Sequence, residues 1–240
     1  MTFQSIFFYQ LLLAHFLSDY CFQTNRVFAI KIKYPWGVTL HAFICGCTWA
    51  IFSIPYLQNV AMWFYVLFFG FILHLIIDKS KMTINRILKK DNIWFFLLDQ
   101  VLHVACAAAL VALAGDMMPY PLVPEIARFF NDAHIIRVVT WYVVVTYVVN
   151  ILIFMLKLNY FKSYFEKITL PAMSIKYLGI VERALIASCV WWGGWGLFLI
   201  PLAVGPSLYL ANQKEQKVTK IDLMLGWMMA VAVGVGLKFV

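Results

Sequence analysis

The chain has 240 residues, of which 64% are hydrophobic and only 12% are charged. A soluble domain contains about half apolar and about a quarter charged residues, so this composition excludes an ordinary water-soluble fold. The formal net charge of +8 would suggest a nucleic-acid partner in a soluble protein, but here we attribute it to membrane topology and expect no nucleic acid. With about 20 residues per span, the length predicts a single membrane domain, residues 1–240.

The apolar segments are long and continuous, which predicts transmembrane helices rather than alternating strands. We expect an all-α fold, a polytopic transmembrane helix bundle with about eight spans. The first segment has no Lys or Arg before it and no small-residue cleavage site after it, so we expect a retained span rather than a signal peptide. The predicted spans are 3–22, 38–57, 60–78, 94–115, 135–156, two spans within 177–212 separated at Gly193-Gly194, and 222–240.

Lys and Arg are concentrated in four of the predicted connections. These are the loops 23–37 and 79–92, the stretch after the fifth span, and the segment 212–220. With eight spans, all four lie on the same side, and the positive-inside rule makes that side cytoplasmic. The domain then divides into an N-terminal half, 1–115, and a C-terminal helical half, 116–240.

Three of the predicted spans carry a histidine and an aspartate four residues apart. The pairs are His15 with Asp19, His74 with Asp78, and Asp99 with His103. This spacing places both side chains on one helix face, and ionisable residues inside a membrane are functional candidates because their burial is costly. The alternating directions of the helices place all three pairs near the cytoplasmic side, where His41 begins the second span. We therefore predict that these seven side chains meet.

Imidazole and carboxylate groups together suit a divalent metal, with zinc expected first and manganese or iron as alternatives. The Asp residues would either orient the histidines or bridge two metal ions. A proton or ion pathway without bound metal, or polar pairing that only holds helices together, would also use these residues. The five cysteines contain no CxxC pair and are expected to be packing residues.

A further charged pair, Glu182 and Arg183, begins the sixth predicted span on the cytoplasmic side. Arg183 would bind an anionic head group or phosphate through its planar guanidinium. The alternative is a local Glu/Arg ion pair at the membrane boundary.

The order of the motifs LAHFLSD, FQTN, LHA, LHLIIDKSK and LLDQVLH resembles the bacterial domain-of-unknown-function 3307 family over residues 8–110. The segment GIVER, from Gly179 to Arg183, is similar to an element of longer members. The resemblance implies a multi-pass protein of the bacterial inner membrane and implies no established activity.

The leading functional hypothesis is a metal-dependent hydrolase that acts on a lipid or lipid-linked substrate from the cytoplasmic leaflet. Bound metal would activate water, one of Asp19, Asp78 or Asp99 would act as general base, and Arg183 would hold an anion. A transporter or channel for protons or divalent cations is the main alternative. A structural protein whose polar layer fixes helix pairing is the second alternative.

Overall fold

The computed structural model describes residues 3–57, 59–88, 92–115, 130, 132–160, 173–211 and 220–239. All secondary-structure elements within these ranges are helical, which confirms the predicted all-α class. The chain forms two compact units, Met1–Thr140 and Trp141–Val240. Residues 116–129, which lie between the fourth and fifth predicted spans, and most of the basic segment 212–220 are outside the described residues.

The first unit contains short and long helices joined by tight irregular turns. Its α-helices are α1 (Phe3–Phe16), α2 (Asn25–Lys33), α3 (Gly37–Ser53), α4 (Val60–Leu67), α5 (His74–Leu88) and α6 (Ile93–Ala114). A π-helical turn, Leu17–Cys21, follows α1, and a second one, Phe68–Leu73, joins α4 to α5. Helix α3 ends in a 3-10 turn, Ile54–Tyr56.

The second unit is entered through α7 (Ala133–Val143), which begins in the first. It continues with a π-helical turn (Val144–Val148), α8 (Val149–Tyr160), α9 (Met173–Trp192), a 3-10 turn (Gly194–Leu199), α10 (Ile200–Ala211), α11 (Lys220–Gly236) and a 3-10 turn (Leu237–Phe239). Gly193 and Gly194 have φ angles of 69° and 50°, a backbone conformation that favours glycine. They separate α9 from α10, which confirms the predicted break in this segment.

Five helices among the described residues are long and apolar enough to cross a membrane: Gly37–Tyr56, Val60–Leu88, Ile93–Ala114, Ala133–Tyr160 and Lys220–Phe239. Large apolar side chains on them are exposed, such as Phe64 at 66% and Trp94 at 65%, as expected for surfaces covered by lipid. The predicted number of eight spans is not confirmed. Polar residues lower the mean hydropathy of the first predicted span. The helical segment Gly194–Leu210 is apolar but shorter than the five helices above.

Two predicted loops are partly helical, contrary to the sequence prediction. Helix α5 continues to Leu88 because residues 79–88 contain neither glycine nor proline. Helix α2 forms within the predicted loop 23–37, where the Thr24 hydroxyl accepts a hydrogen bond from the Val27 amide at 3.3 Å and caps the helix. These two corrections place Lys31 and Lys81 on helices.

Glycines allow the helices of the first unit to approach closely. A Cβ atom on Gly37 would lie 2.1 Å from the Ile30 carbonyl oxygen, so only glycine fits where α3 begins against α2. A Cβ atom on Gly70 would lie 3.0 Å from the Trp49 Cβ, where the second π-helical turn packs on α3. Such small residues bring helix backbones together in membranes. The polar faces of α3 and α5 consequently lie side by side.

Candidate metal centre

The structure brings all seven predicted ligand residues of the first unit into one buried cluster. Their exposed fractions are 1% for His15, 0% for His41, 1% for His74, 2% for Asp78, 3% for Asp99, 1% for His103 and, for the side chain alone, 10% for Asp19. Burial of so many polar groups requires compensating partners. By contrast, the fifth histidine, His134, is exposed.

His74 lies at the centre of this cluster. Its Nε2 atom is 3.4 Å from the Nε2 atom of His41, 3.4 Å from Asp19 Oδ1 and 3.5 Å from Asp78 Oδ2. Its ring centroid is 4.2 Å from that of His103. One imidazole, on α5, therefore connects groups from α3, α5, α6 and the π-helical turn that follows α1.

Asp19, His41, Cys45 and His74 form the first donor group, and their ligand atoms all lie within 4.8 Å of one another. The His41 Nε2 atom is 3.0 Å from Asp19 Oδ1. The Cys45 Sγ atom is 3.6 Å from His41 Nε2 and 3.7 Å from Asp19 Oδ1. Nitrogen, oxygen and sulfur donors thus face a common point.

These separations fit a tetrahedral zinc site. Zinc bonds of about 2.0 Å to nitrogen or oxygen and about 2.3 Å to sulfur place neighbouring donors about 3.3 to 3.6 Å apart. The separations among Asp19, His41, Cys45 and His74 that are given above range from 3.0 to 3.7 Å, and the longest ones involve sulfur. The donor set and its spacing therefore fit a zinc ion.

Cys45 was missed as a site residue because the sequence analysis treated all cysteines as packing residues. It follows His41 by four residues on α3, the same spacing that identified the His/Asp pairs. Extending the search for i, i+4 pairs from aspartate to cysteine would have found it.

His74, Asp78 and His103 form the second donor group, whose ligand atoms also lie within 4.8 Å of one another. Asp78 Oδ2 is 3.4 Å from His41 Nε2 as well. Asp78 therefore contacts both central imidazoles, yet it is not a member of the first donor group.

Two lysines bind carboxylates of the cluster, and the sequence analysis predicted neither contact. Lys31 Nζ lies 2.7 Å from Asp78 Oδ2, and Lys81 Nζ lies 2.8 Å from Asp99 Oδ2. Lys31 also donates to Gln23 Oε1 at 3.2 Å. Burial tends to lower the pKa of Lys31, but the Asp78 and Asp19 carboxylates outweigh this effect and raise the pKa above its ordinary value. Lys31 is therefore an ammonium ion at neutral pH.

Gln100 fixes the orientation of His15. Its Nε2 atom donates to Asp99 Oδ2 at 2.9 Å, so its Oε1 atom faces His15 Nε2 at 3.3 Å. Because a carbonyl oxygen accepts hydrogen bonds, His15 Nε2 must carry the proton. The His15 ring stacks on that of His103, with centroids 4.7 Å apart.

Both π-helical turns of the first unit adjoin the cluster. The turn Leu17–Cys21 contains Asp19, and the turn Phe68–Leu73 immediately precedes His74. A π turn inserts one residue into the helical register, which rotates the following side chains, and such turns often occur at functional sites. The sequence contains no Pro or Gly pattern that would have predicted the turn at Leu17–Cys21.

Several buried polar atoms of the cluster have no hydrogen-bond partner among the described residues. They are Nδ1 of His15, His41 and His74, Nε2 of His103, Oδ1 of Asp99 and the hydroxyl of Tyr20. Buried polar atoms in proteins are nearly always paired, with protein, water or an ion. For His41 and His74 the unpaired atom is Nδ1, whereas the first donor group uses Nε2, so these Nδ1 atoms need partners other than the metal.

Arg183, the predicted anion clamp, lies in the second unit rather than with the cluster in the first. Its Nε donates to the Val145 carbonyl at 2.8 Å, and its Nη2 donates to the Thr146 carbonyl at 2.9 Å. The neighbouring Glu182 accepts from Ser207 and Trp227. No ion pair between Glu182 and Arg183 occurs within 4.0 Å in the described part of the chain.

A family model described as a protein of unknown function (DUF3307) matches residues 7–122. Over these residues the chain is similar to that family. The matched region contains all seven predicted metal ligands and Cys45, so the resemblance stated from the motifs is confirmed. No curated protein and no solved structure matches the chain.

Proposed function

We propose that this chain is a multi-pass protein of the bacterial inner membrane, with about eight spans, that holds a zinc ion on the cytoplasmic side and hydrolyses a lipid or lipid-linked substrate. The observation that carries the proposal is the first donor group: one oxygen, two nitrogens and one sulfur at tetrahedral spacing, contributed by Asp19, His41, Cys45 and His74. Manganese or iron would use the same imidazole and carboxylate donors but would be favoured less by sulfur.

A zinc ion in this position would polarise an ester or phosphoryl oxygen and activate water. Among the three carboxylates, we assign the general base to Asp99. Its Oδ2 atom is paired with Lys81, whereas its Oδ1 atom is buried without a hydrogen-bond partner in the described residues. Asp99 can therefore accept a proton within the cluster. We assign no role in this reaction to Arg183.

The lipid substrate class is supported by the surroundings of the cluster. The cluster residues of α3, α5 and α6 lie on helices that are long and apolar enough to cross a membrane. Exposed apolar side chains on these helices, including Phe43 and Val101, would lie against acyl chains. A substrate with an acyl chain would reach the metal without leaving the bilayer.

A structural zinc centre is the second candidate, and Cys45 is the observation that favours it. Structural zinc sites are closed by four protein ligands, whereas catalytic sites keep a position for water. With Cys45 bound, hydrolysis requires zinc to accept a fifth ligand. The two candidates therefore differ in the coordination number of zinc when substrate is present: a fifth ligand binds in the hydrolase, whereas none binds in the structural centre.

The proposal is tested by reconstituting the zinc-loaded protein into vesicles of bacterial phospholipids and following the release of fatty acid or head group. Hydrolysis that is abolished in His74→Ala and retained in His134→Ala is the expected result. Zinc bound stoichiometrically without hydrolysis of any phospholipid would favour the structural centre. Zinc flux into the vesicles that depends on His74 would favour transport instead.

A further inference from the structure

Lys31 occupies an unusual position for a cation, because it lies beside a metal-type donor set. Its Nζ atom is 2.7 Å from Asp78 Oδ2, and this same oxygen is 3.4 Å from His41 Nε2 and 3.5 Å from His74 Nε2. The side chain of Lys31 is 11% exposed and that of Asp78 is 2% exposed. The ammonium ion thus covers the carboxylate from the outside of the cluster.

Asp78 would otherwise be a competitor for the metal. Its oxygen lies at ligand spacing from both central imidazoles, and a buried carboxylate without a counter-ion is strongly attracted to a divalent cation. It is not one of the four residues of the first donor group. Bound through this oxygen, Asp78 would add a second carboxylate to a zinc ion held by Asp19, His41, Cys45 and His74.

We propose that Lys31 is a positioning residue: it pairs with Asp78 Oδ2 and so keeps this carboxylate from becoming an additional ligand of the metal. This inference rests on the proposed zinc centre. The ammonium ion would compete with the metal for one carboxylate oxygen, because both cations are attracted to Asp78 Oδ2. Helix α2, which carries Lys31, contains no buried residue. The contact between Lys31 and Asp78 can therefore change without moving α2 out of a hydrophobic core.

The competition has a measurable consequence for zinc affinity. Lys31→Met releases Asp78, which then becomes an additional ligand, and we expect zinc to bind about tenfold tighter or more, in line with the energy of a charge-assisted contact. Removal of a nearby positive charge would tighten binding by itself. A double-mutant cycle with Asp78→Asn separates the two effects, because only the ligand effect requires the carboxylate.

The experiment measures zinc affinity by competition with a chromophoric chelator for wild type, Lys31→Met, Asp78→Asn and the double variant in detergent. We expect the gain from Lys31→Met to fall by most of its size in the Asp78→Asn background. Lys31→Arg, which keeps the charge, should bind as wild type does. Lys33→Met is the matched control on the same helix, since Lys33 lies over the Tyr34 ring rather than at the cluster.

X-ray absorption at the zinc edge provides a second readout, with one more oxygen ligand expected in Lys31→Met than in wild type. Lys31→Gln replaces Lys31→Met in both measurements if the methionine variant does not fold. Equal gains in the presence and absence of the Asp78 carboxylate, with unchanged coordination, would overturn the role of Lys31. Absence of zinc from the folded wild type would instead overturn the zinc centre itself, so the two failures are distinguishable.

Discussion

Buried charged residues occur in both units, but their hydrogen bonding differs. In the second unit, both carboxylate oxygens of Glu182 are paired, with Ser207 Oγ at 2.8 Å and Trp227 Nε1 at 2.9 Å. In the first unit, one ring nitrogen on each of four buried histidines has no partner among the described residues. A satisfied network holds helices together, whereas the unpaired ring nitrogens of the first unit need partners that the described residues do not supply.

Arg183 shows how the second unit uses its charge. Arg183 donates to the main-chain carbonyls of Val145 and Thr146, both in the π-helical turn Val144–Val148, and to Asn150 Oδ1 at 2.6 Å. The side chain thus stabilises a helix irregularity, which is a structural role.

The largest effect on stability is expected from Arg183→Met. This change leaves the Val145 carbonyl and Asn150 Oδ1 without their Arg183 donor, at a cost of about 1 to 3 kcal/mol for each. Thermal unfolding in detergent measures the loss. Zinc content per folded chain should stay at the wild-type level, and loss of zinc from folded Arg183→Met would contradict the separate roles of the two buried charged regions.

Zinc should stabilise the folded protein through the cluster. At a free zinc concentration of 100 times the dissociation constant, the expected gain in unfolding free energy is about 2.7 kcal/mol. Chelation should remove this gain, and His41→Ala should not show it, because His41 supplies one of the four donors. Equal stabilisation of wild type and His41→Ala would show that zinc acts elsewhere.

Gly70→Ala should disturb the cluster through packing alone. The added methyl group would lie 3.0 Å from the Trp49 side chain. Moving α3 away from the second π-helical turn to relieve this contact would lower the free energy of unfolding by about 1 to 3 kcal/mol. We expect weaker zinc binding together with lower thermal stability. Gly205→Ala is the matched control, because a Cβ atom there meets nothing within 4 Å, and it should leave both quantities unchanged.

Cys45→Ser should have the smallest effect, because three of the four donors remain. We expect about tenfold weaker zinc binding, as for loss of one contact. Cobalt substitution makes the test direct, since a thiolate–cobalt charge-transfer band should appear in wild type and disappear in Cys45→Ser. The same band in both proteins would exclude Cys45 as a ligand.

The ligand cluster was predictable because its signal is local. A histidine and an aspartate four residues apart on apolar helices share a face, and alternating helix directions place such pairs at one depth. The contacts of Lys31 and Lys81 were not predictable in this way. Lys31 reaches Asp78 across 47 positions of the chain, from a helix that the sequence analysis read as a loop.

The fold class was predictable from composition, but the number of spans was not confirmed. Continuous apolar sequence identifies helices without regard to tertiary structure. By contrast, the first predicted span combines polar ligands with apolar residues, so hydropathy alone does not mark it as a membrane helix. Arg183 illustrates the same limit for function. Its partners include main-chain carbonyl groups of a π-helical turn, and the residue types in the sequence do not reveal these contacts.

The central claim is that the cluster binds zinc, and elemental mass spectrometry of purified protein tests it most directly. Wild type, His74→Ala and His134→Ala would be purified in detergent with supplemented zinc and compared for metal per folded chain. The account predicts about one zinc ion per chain in wild type and in His134→Ala, as for a four-donor site, and almost none in His74→Ala. A well-folded wild type without metal, or zinc retained fully in His74→Ala, would contradict it.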